Sequence, residues 1–186
     1  MLKNNYNFEV FFISDIDIYA FKIILFGAES VGKTSLLLRY IKNYFSEDLK
    51  KTIGSNFLMK QLDLDNNQIK LVIWDIAGQP RFSKLRKFYY KGSQGALAVF
   101  DVTNPDSFSE ISEWVLSFRK AVGEDIPMIL IGNKIDLDRK IEIYECEALA
   151  NEFKCDFLET SAKTGDNVDI AFEKIARACV EMSITI

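Results

Sequence analysis

The stretch "FGAESVGKTS" sets Gly27 and Gly32 with four residues between them and follows them with Lys33 and Thr34, the spacing of a phosphate-binding loop. Glycines let consecutive backbone N–H groups point at an anion, and a helix starting after Gly32 would add the positive end of its dipole. Lys33 would reach the β- and γ-phosphates of a nucleoside triphosphate, and Thr34 would offer a hydroxyl to Mg²⁺. Gly27, Glu29, Ser30, Val31, Gly32, Lys33, Thr34 and Ser35 are therefore candidate nucleotide contacts. Glu29 is the odd member, a carboxylate inside a cradle for an anion. Amides, Lys33 and Thr34 suffice to meet the phosphates, so Glu29 is expected to bear on turnover more than on whether nucleotide binds.

Other segments could finish the site. In "NKID", the Asp136 carboxylate can accept from both N1–H and the 2-amino group of guanine. Adenine would leave that buried carboxylate unpaired, at a cost of roughly 1–3 kcal/mol or more. Asn133 and Lys134 precede it, and in "TSAK" Ser161, Ala162 and Lys163 can bring a backbone N–H to the guanine O6. "WDIAGQ" supplies Asp75 for Mg²⁺ through water, the Gly78 N–H for the γ-phosphate, and Gln79 to orient an attacking water. Upstream, Thr52 in "TIG" could join the Mg²⁺ shell only when a γ-phosphate is present, which would make its loop a state sensor. Catalytic candidates are thus Gln79, Lys33 and Gly78, and metal candidates Thr34, Thr52 and Asp75.

These groups work together only if a scaffold converges them. "YAFKIILF" (19–26) reads as a buried strand, and "KTSLLLRYIKNYF" as the helix after the loop. "FLMKQLDLDNNQIKLVIWD" holds two strand-like runs about Asp65-Asn66-Asn67, the signal of an antiparallel hairpin. Strand then helix recurs three times, from "GALAVFDV" (95–102), "PMILIGNK" (127–134) and "DFLETSA" (156–162), with a last helix over 166–182. The pattern predicts an α/β fold: a six-stranded, mostly parallel sheet with one antiparallel strand and helices on both faces. Ligands of such sheets bind beyond the carboxyl ends of the strands, and every motif above falls just after one. Residues 19–182 are expected to form the nucleotide-binding domain, with 183–186 a short end. In 1–18, Phe8, Val10, Phe12, Ile16 and Ile18 recur with a period of two interrupted by Ser14, which suggests an extra edge strand or a hydrophobic strap.

Composition narrows the class. The 186 residues suit one domain, and a net charge of −4 argues against a nucleic-acid binder. The absence of histidine excludes imidazole catalysis and His-ligated zinc. Cys146, Cys155 and Cys179 match no metal or disulfide framework and read as reduced thiols of a cytoplasmic protein. Neither end encodes a signal peptide, an N-myristoylation site or a prenylation box, so no lipid anchor is expected.

Taken with their order, "GAESVGKTS", "TIGSNF", "KLVIWDIAGQPRF", "YYKGSQGALAVFDVT", "IGNKIDL" and "ETSAKTGDNV" resemble the Ras superfamily of small GTPases, the Rab branch most of all, over about residues 20–182. The resemblance implies a monomeric switch that binds GTP or GDP with Mg²⁺ and hydrolyses GTP. It makes Thr52 part of switch I and residues 76–92 switch II, and sets Phe45 against the guanine. Effector, GTPase-activating and exchange proteins would dock through the switches, and membrane contact would come through a partner. Two rivals are a nucleotide-loaded scaffold with little hydrolysis and an ATP-using metabolite kinase, which "NKID" and "SAK" argue against. The chain departs from the pattern at its end, which lacks the prenylated Rab tail, at Glu29, where Ras has Gly and Rab commonly Ser, and at Pro80, where Rab has Glu. Proline removes an N–H and restricts Gln79 toward extended backbone, so the family's exchange mechanism is not carried over there. Arg81, Lys84, Arg86, Lys87 and Lys91 form a basic cluster that reads either as a solvated face or as a dock for an acidic partner.

Overall fold

Period-two burial along the first strand sets the architecture. Phe21, Ile23 and Leu25 are buried toward one side of the sheet and Ile24 and Phe26 toward the other, as alternate strand residues must be when both faces are covered. The structure, a computed structural model, describes residues 18–65, 67–79 and 83–185. The elements in chain order are β1 (Ile18–Phe26), α1 (Lys33–Lys42), β2 (Ser55–Leu64), β3 (Asn67–Ile76), α2 (Ser83–Tyr90), β4 (Gly95–Asp101), α3 (Pro105–Val122), β5 (Met128–Asn133), α4 (Ile143–Glu152), β6 (Asp156–Thr160) and α5 (Val168–Thr185). They form one six-stranded sheet ordered β2-β3-β1-β4-β5-β6. Among the described strands only β2 and β3 pair antiparallel, as the hairpin pattern predicts.

Two cores sandwich this sheet. On one face Leu36, Leu37 and Tyr40 of α1 and Phe172, Ile175 and Cys179 of α5 close over β1, β3, β4 and β5. Tyr40 and Phe172 stack with centroids 4.0 Å apart, locking the two helices together. On the other face Tyr90, Trp114, Phe118 and Cys146 bring α2, α3 and α4 against Phe26, Ala98, Phe100 and Leu130. Register then sets the site: Leu25 pairs with Asp75, Phe26 with Ala98, and Asn133 with both Asp101 and Thr160. The loops after β1, β3, β4, β5 and β6 therefore open on the same edge, with the loop after β1 at the topological switch point between β3 and β4.

Several expectations change in detail. α1 stops at Lys42, short of Phe45, because Asn43 takes a left-handed φ of 48° and returns its N–H to the Arg39 carbonyl. α5 runs on to Thr185, so residues 183–185 continue the helix. The strand or strap expected in 1–18 lies outside the described residues apart from Ile18, which opens β1. Within the basic cluster Arg86 is not a surface cation. It is only 7% exposed, and its guanidinium lies 3.3 Å from the Trp114 ring centroid, where the aromatic face takes the place of water. Lys87 and Lys91 are exposed, while Arg81 and the Lys84 side chain lie outside the described set. The three cysteines are unpaired, and burial raises the thiols of Cys146 and Cys155 to about 11 and of Cys179 to about 12. No described helix is long and apolar enough to cross a membrane.

Candidate functional site

A cleft of about 510 Å³ runs along the loop edge of the sheet. Glu29, Ser30, Gly32, Lys33, Thr34 and Ser35 line one end together with Thr52, Gly78 and Gln79. Phe45, Asn133, Lys134, Asp136, Ala162 and Lys163 line the other. Of the remaining residues singled out from the sequence, Gly27, Val31, Asp75 and Ser161 do not line the cleft, and the last three are at most 1% exposed. Pro80 lies outside the described residues.

The loop after β1 is shaped by its neighbours. Gly27 holds a φ of 137°, and a Cβ there would lie 2.0 Å from the Val99 carbonyl oxygen of β4. Gly27→Ala is therefore expected to cost about 3 kcal/mol or more, lowering Tm by roughly 6–12 °C in thermal unfolding. An unchanged midpoint would refute this packing. Gly78 meets the same loop from β3's side, where a Cβ would lie 2.4 Å from the Glu29 nitrogen. α1 then begins with no side-chain cap and no acidic residue in its first turn. Its first amides and its dipole suit an anion in the cleft.

Lys33 is buried at the root of this cradle, donating through Nζ to the carbonyls of Gly27 (2.9 Å) and Ala28 (2.6 Å). Burial lowers its ammonium to about 8, with the nearby Asp75 carboxylate working in the opposite direction. Beside it three oxygen-bearing side chains converge. Thr34 Oγ1 lies 2.8 Å from Thr52 Oγ1 and donates to Asp75 Oδ2 at 2.5 Å; Thr52 Oγ1 donates to the same oxygen at 3.3 Å. Asp75 Oδ1 is buried with no hydrogen-bond partner, and burial raises the Asp75 carboxyl above the ordinary range despite the Thr34 hydrogen bond. An unpaired buried carboxylate oxygen beside two hydroxyls suits a hard divalent cation that takes its other ligands from phosphate and water, which is the coordination habit of Mg²⁺. Among the described residues no cluster of three or more His, Cys, Asp or Glu offers another kind of metal site.

Glu29 is held by residues of two other loops. Its Oε1 accepts from Gln79 Nε2 at 3.3 Å and pairs with Lys51 Nζ at 3.0 Å. The Lys51 hydrogen bond holds its carboxyl below the usual range. One carboxylate thus links the phosphate loop to the loop bearing Thr52 and to the residue after Gly78.

At the other end of the cleft, Asp136 Oδ1 accepts from Ser161 Oγ at 2.5 Å, and Ser161 Oγ in turn accepts the Thr164 N–H at 3.1 Å. Lys134, at a left-handed φ of 73°, pairs with Asp101 Oδ2 at 2.6 Å. The Asn133 side chain is spent inside the protein. Its Nδ2 donates to the Val31 carbonyl at 2.9 Å, while its Oδ1 accepts from Thr160 Oγ1 (3.1 Å) and the Ala162 N–H (3.3 Å). It therefore ties the phosphate loop to the loop after β6. Sequence reasoning missed Asp101, which anchors Lys134, and Arg39, whose guanidinium reaches the Ala162 and Lys163 carbonyls. Arg39 belongs to none of the motifs, and Asp101 lies at the strand end of "GALAVFDV", a segment read for its strand and its resemblance without a role for the aspartate.

Comparison with known proteins agrees with this geometry. A model of the Ras family matches residues 22–181. Ras-related protein Rab-21 of Mus musculus is 40% identical over 165 residues, 88% of this chain and 74% of that protein. The Homo sapiens Rab-21 is 39% identical over 165 residues, 88% of this chain and 73% of its own length. Ras-related protein Rab-1 of Theileria parva is 44% identical over 163 residues, 86% of this chain and 74% of that protein. Matched by the family model over residues 22–181 and by these relatives across most of its length, the chain belongs to the Ras family, as a Rab-like small GTP-binding protein.

Proposed function

We propose that this protein is a monomeric switch that binds GTP or GDP with Mg²⁺ and hydrolyses GTP slowly to GDP and phosphate. The observation that carries the reading is a single cleft that joins the Lys33 cradle to the Asp136 carboxylate. The loop amides, the first turn of α1 and Lys33 hold the phosphates, and Asp136 accepts from the guanine edge while Phe45 and the Lys134 stem flank the ring. Thr34, Thr52 and Asp75 are the residues that would hold Mg²⁺, which when bound supplies charge neutralisation to the phosphates. Gly78 gives its N–H to the γ-phosphate, and Gln79 orients the water that attacks it. Because Thr52 reaches Thr34 and Asp75 across 18 and 23 residues of chain, loss of the γ-phosphate side of the site would release its loop.

No arginine occurs between Asn43 and Gly54 to stabilise transferred charge in cis. Turnover is therefore slow until a GTPase-activating partner supplies a cation. Effectors and exchange proteins read the loops around Thr52 and Gln79, and the protein works in the cytoplasm, reaching membranes through a partner. Fluorescent nucleotide binding followed by single-turnover phosphate release tests the reading. GTP should be preferred to ATP by at least about 10²-fold, chelation of Mg²⁺ should speed nucleotide release, and phosphate should appear slowly. Equal affinity for ATP would overturn the base assignment, and loading without any phosphate release would favour a scaffold role.

A further inference from the structure

Arg39 stands outside every motif that identifies the site, yet its guanidinium is committed on all three nitrogens. Nε donates to the Ala162 carbonyl at 2.8 Å and Nη2 to the Lys163 carbonyl at 2.6 Å. Nη1 donates to Asn43 Oδ1 at 2.8 Å and to the Asn43 carbonyl at 3.3 Å. One edge of the fork thus fixes two successive peptides of the loop after β6, and the other fixes the left-handed residue that ends α1, two residues before Phe45. A second tie runs in parallel, from Lys163 Nζ to Glu47 at 3.0 Å.

We infer that Arg39 is a positioning residue of the guanine clamp, setting how long nucleotide stays bound by holding the 161–163 loop against the root of the Phe45 loop. The inference rests on the reading of this cleft as a guanine-nucleotide site. A trans peptide points its N–H opposite its C=O. Anchoring the carbonyls of Ala162 and Lys163 toward α1 therefore turns the N–H groups of Lys163 and Thr164 the other way, and the Thr164 N–H meets Ser161 Oγ, which donates to Asp136. The guanidinium would consequently act on the base through two linked groups: the Lys163 N–H, turned away from α1 toward the O6 side, and the carboxylate at the Watson–Crick edge. A planar fork holds two adjacent carbonyls at once, which a lysine ammonium on a flexible stem does not reproduce. Release of nucleotide then requires the 161–163 loop and the end of α1 to separate, so this contact is also where an exchange factor could act without touching the phosphates.

The test compares release of GDP with release of its analogue lacking the 6-oxo group, 2-aminopurine riboside 5′-diphosphate, from wild type, Arg39→Ala and Arg39→Lys. Arg39→Ala should speed GDP release by roughly 10- to 100-fold, the range for losing hydrogen bonds to a charged donor. Arg39→Lys should fall between, and the analogue, which lacks both O6 and the N1 proton and so has already lost a contact to each of the two groups that Arg39 holds, should be accelerated at least threefold less by either change. Nucleotide-free thermal unfolding of each variant shows whether the fold is intact. Equal GDP release from folded Arg39→Ala and wild type would overturn the role of Arg39, as would equal acceleration of both ligands, which marks a merely structural brace. Failure of the wild type to prefer GDP over ADP would instead overturn the reading of the cleft itself.

Discussion

Asp136→Asn is expected to weaken GDP binding by at least about 10²-fold while improving the hold on xanthosine diphosphate. The carboxylate offers two acceptor oxygens, one already receiving Ser161 Oγ at 2.5 Å, and guanine presents two donors, N1–H and the 2-amino group. An asparagine exchanges one of those acceptors for an N–H₂ that faces the guanine amino group donor to donor. Hydrogen bonds involving a charged partner are worth about 1.5–3 kcal/mol each, so losing one and opposing another reaches the stated factor at 1.4 kcal/mol per tenfold. Xanthine carries an oxygen in place of the amino group, which the new N–H₂ can serve. Competition between the two diphosphates against a fluorescent reporter checks this. A ratio of affinities unchanged by the substitution would mean that Asp136 does not read the base.

The groups proposed to meet ligand stood out in the sequence because each lies at or within a few residues of a strand end. Asp75 lies near the end of β3, while Lys33, Thr34, Gln79 and Asp136 follow β1, β3 or β5, and local hydrophobic patterning is enough to find those strands. The groups that hold them were not legible. Arg39 meets partners 123 and 124 residues away, and Asn133 meets Val31 across 102. No periodicity carries information over such separations; only the parallel register that aligns the strand ends does. Arg86 failed for a different reason. Charge count placed it with Lys87 and Lys91, whereas its exposure is decided by Trp114 on α3, whose ring covers the guanidinium. The same lesson applies to Glu29, whose type said only that a carboxylate stood in an anion cradle. Its meaning lies in Gln79 and Lys51, which reach it from two other loops.

That geometry yields the second large effect. Gln79→Leu should slow single-turnover GTP hydrolysis by roughly 10²-fold, the scale of losing an orienting group, while leaving nucleotide affinity within about threefold of wild type. A carboxylate only accepts hydrogen bonds, so the Gln79 amide must present its nitrogen to Glu29 at 3.3 Å, leaving Oε1 as the end able to accept from water. The Lys51 ammonium at 3.0 Å answers the charge that would otherwise oppose the phosphates. Glu29 therefore preorganises Gln79 rather than repelling nucleotide, and Glu29→Ser should slow hydrolysis by about threefold to tenfold. In a Gln79→Leu background the same change should have almost no further effect, because the coupled pair is already broken. Additive losses in the double variant would show that Glu29 acts independently of Gln79. A tenfold change in GTP affinity with hydrolysis untouched would show instead that the carboxylate addresses the phosphates after all.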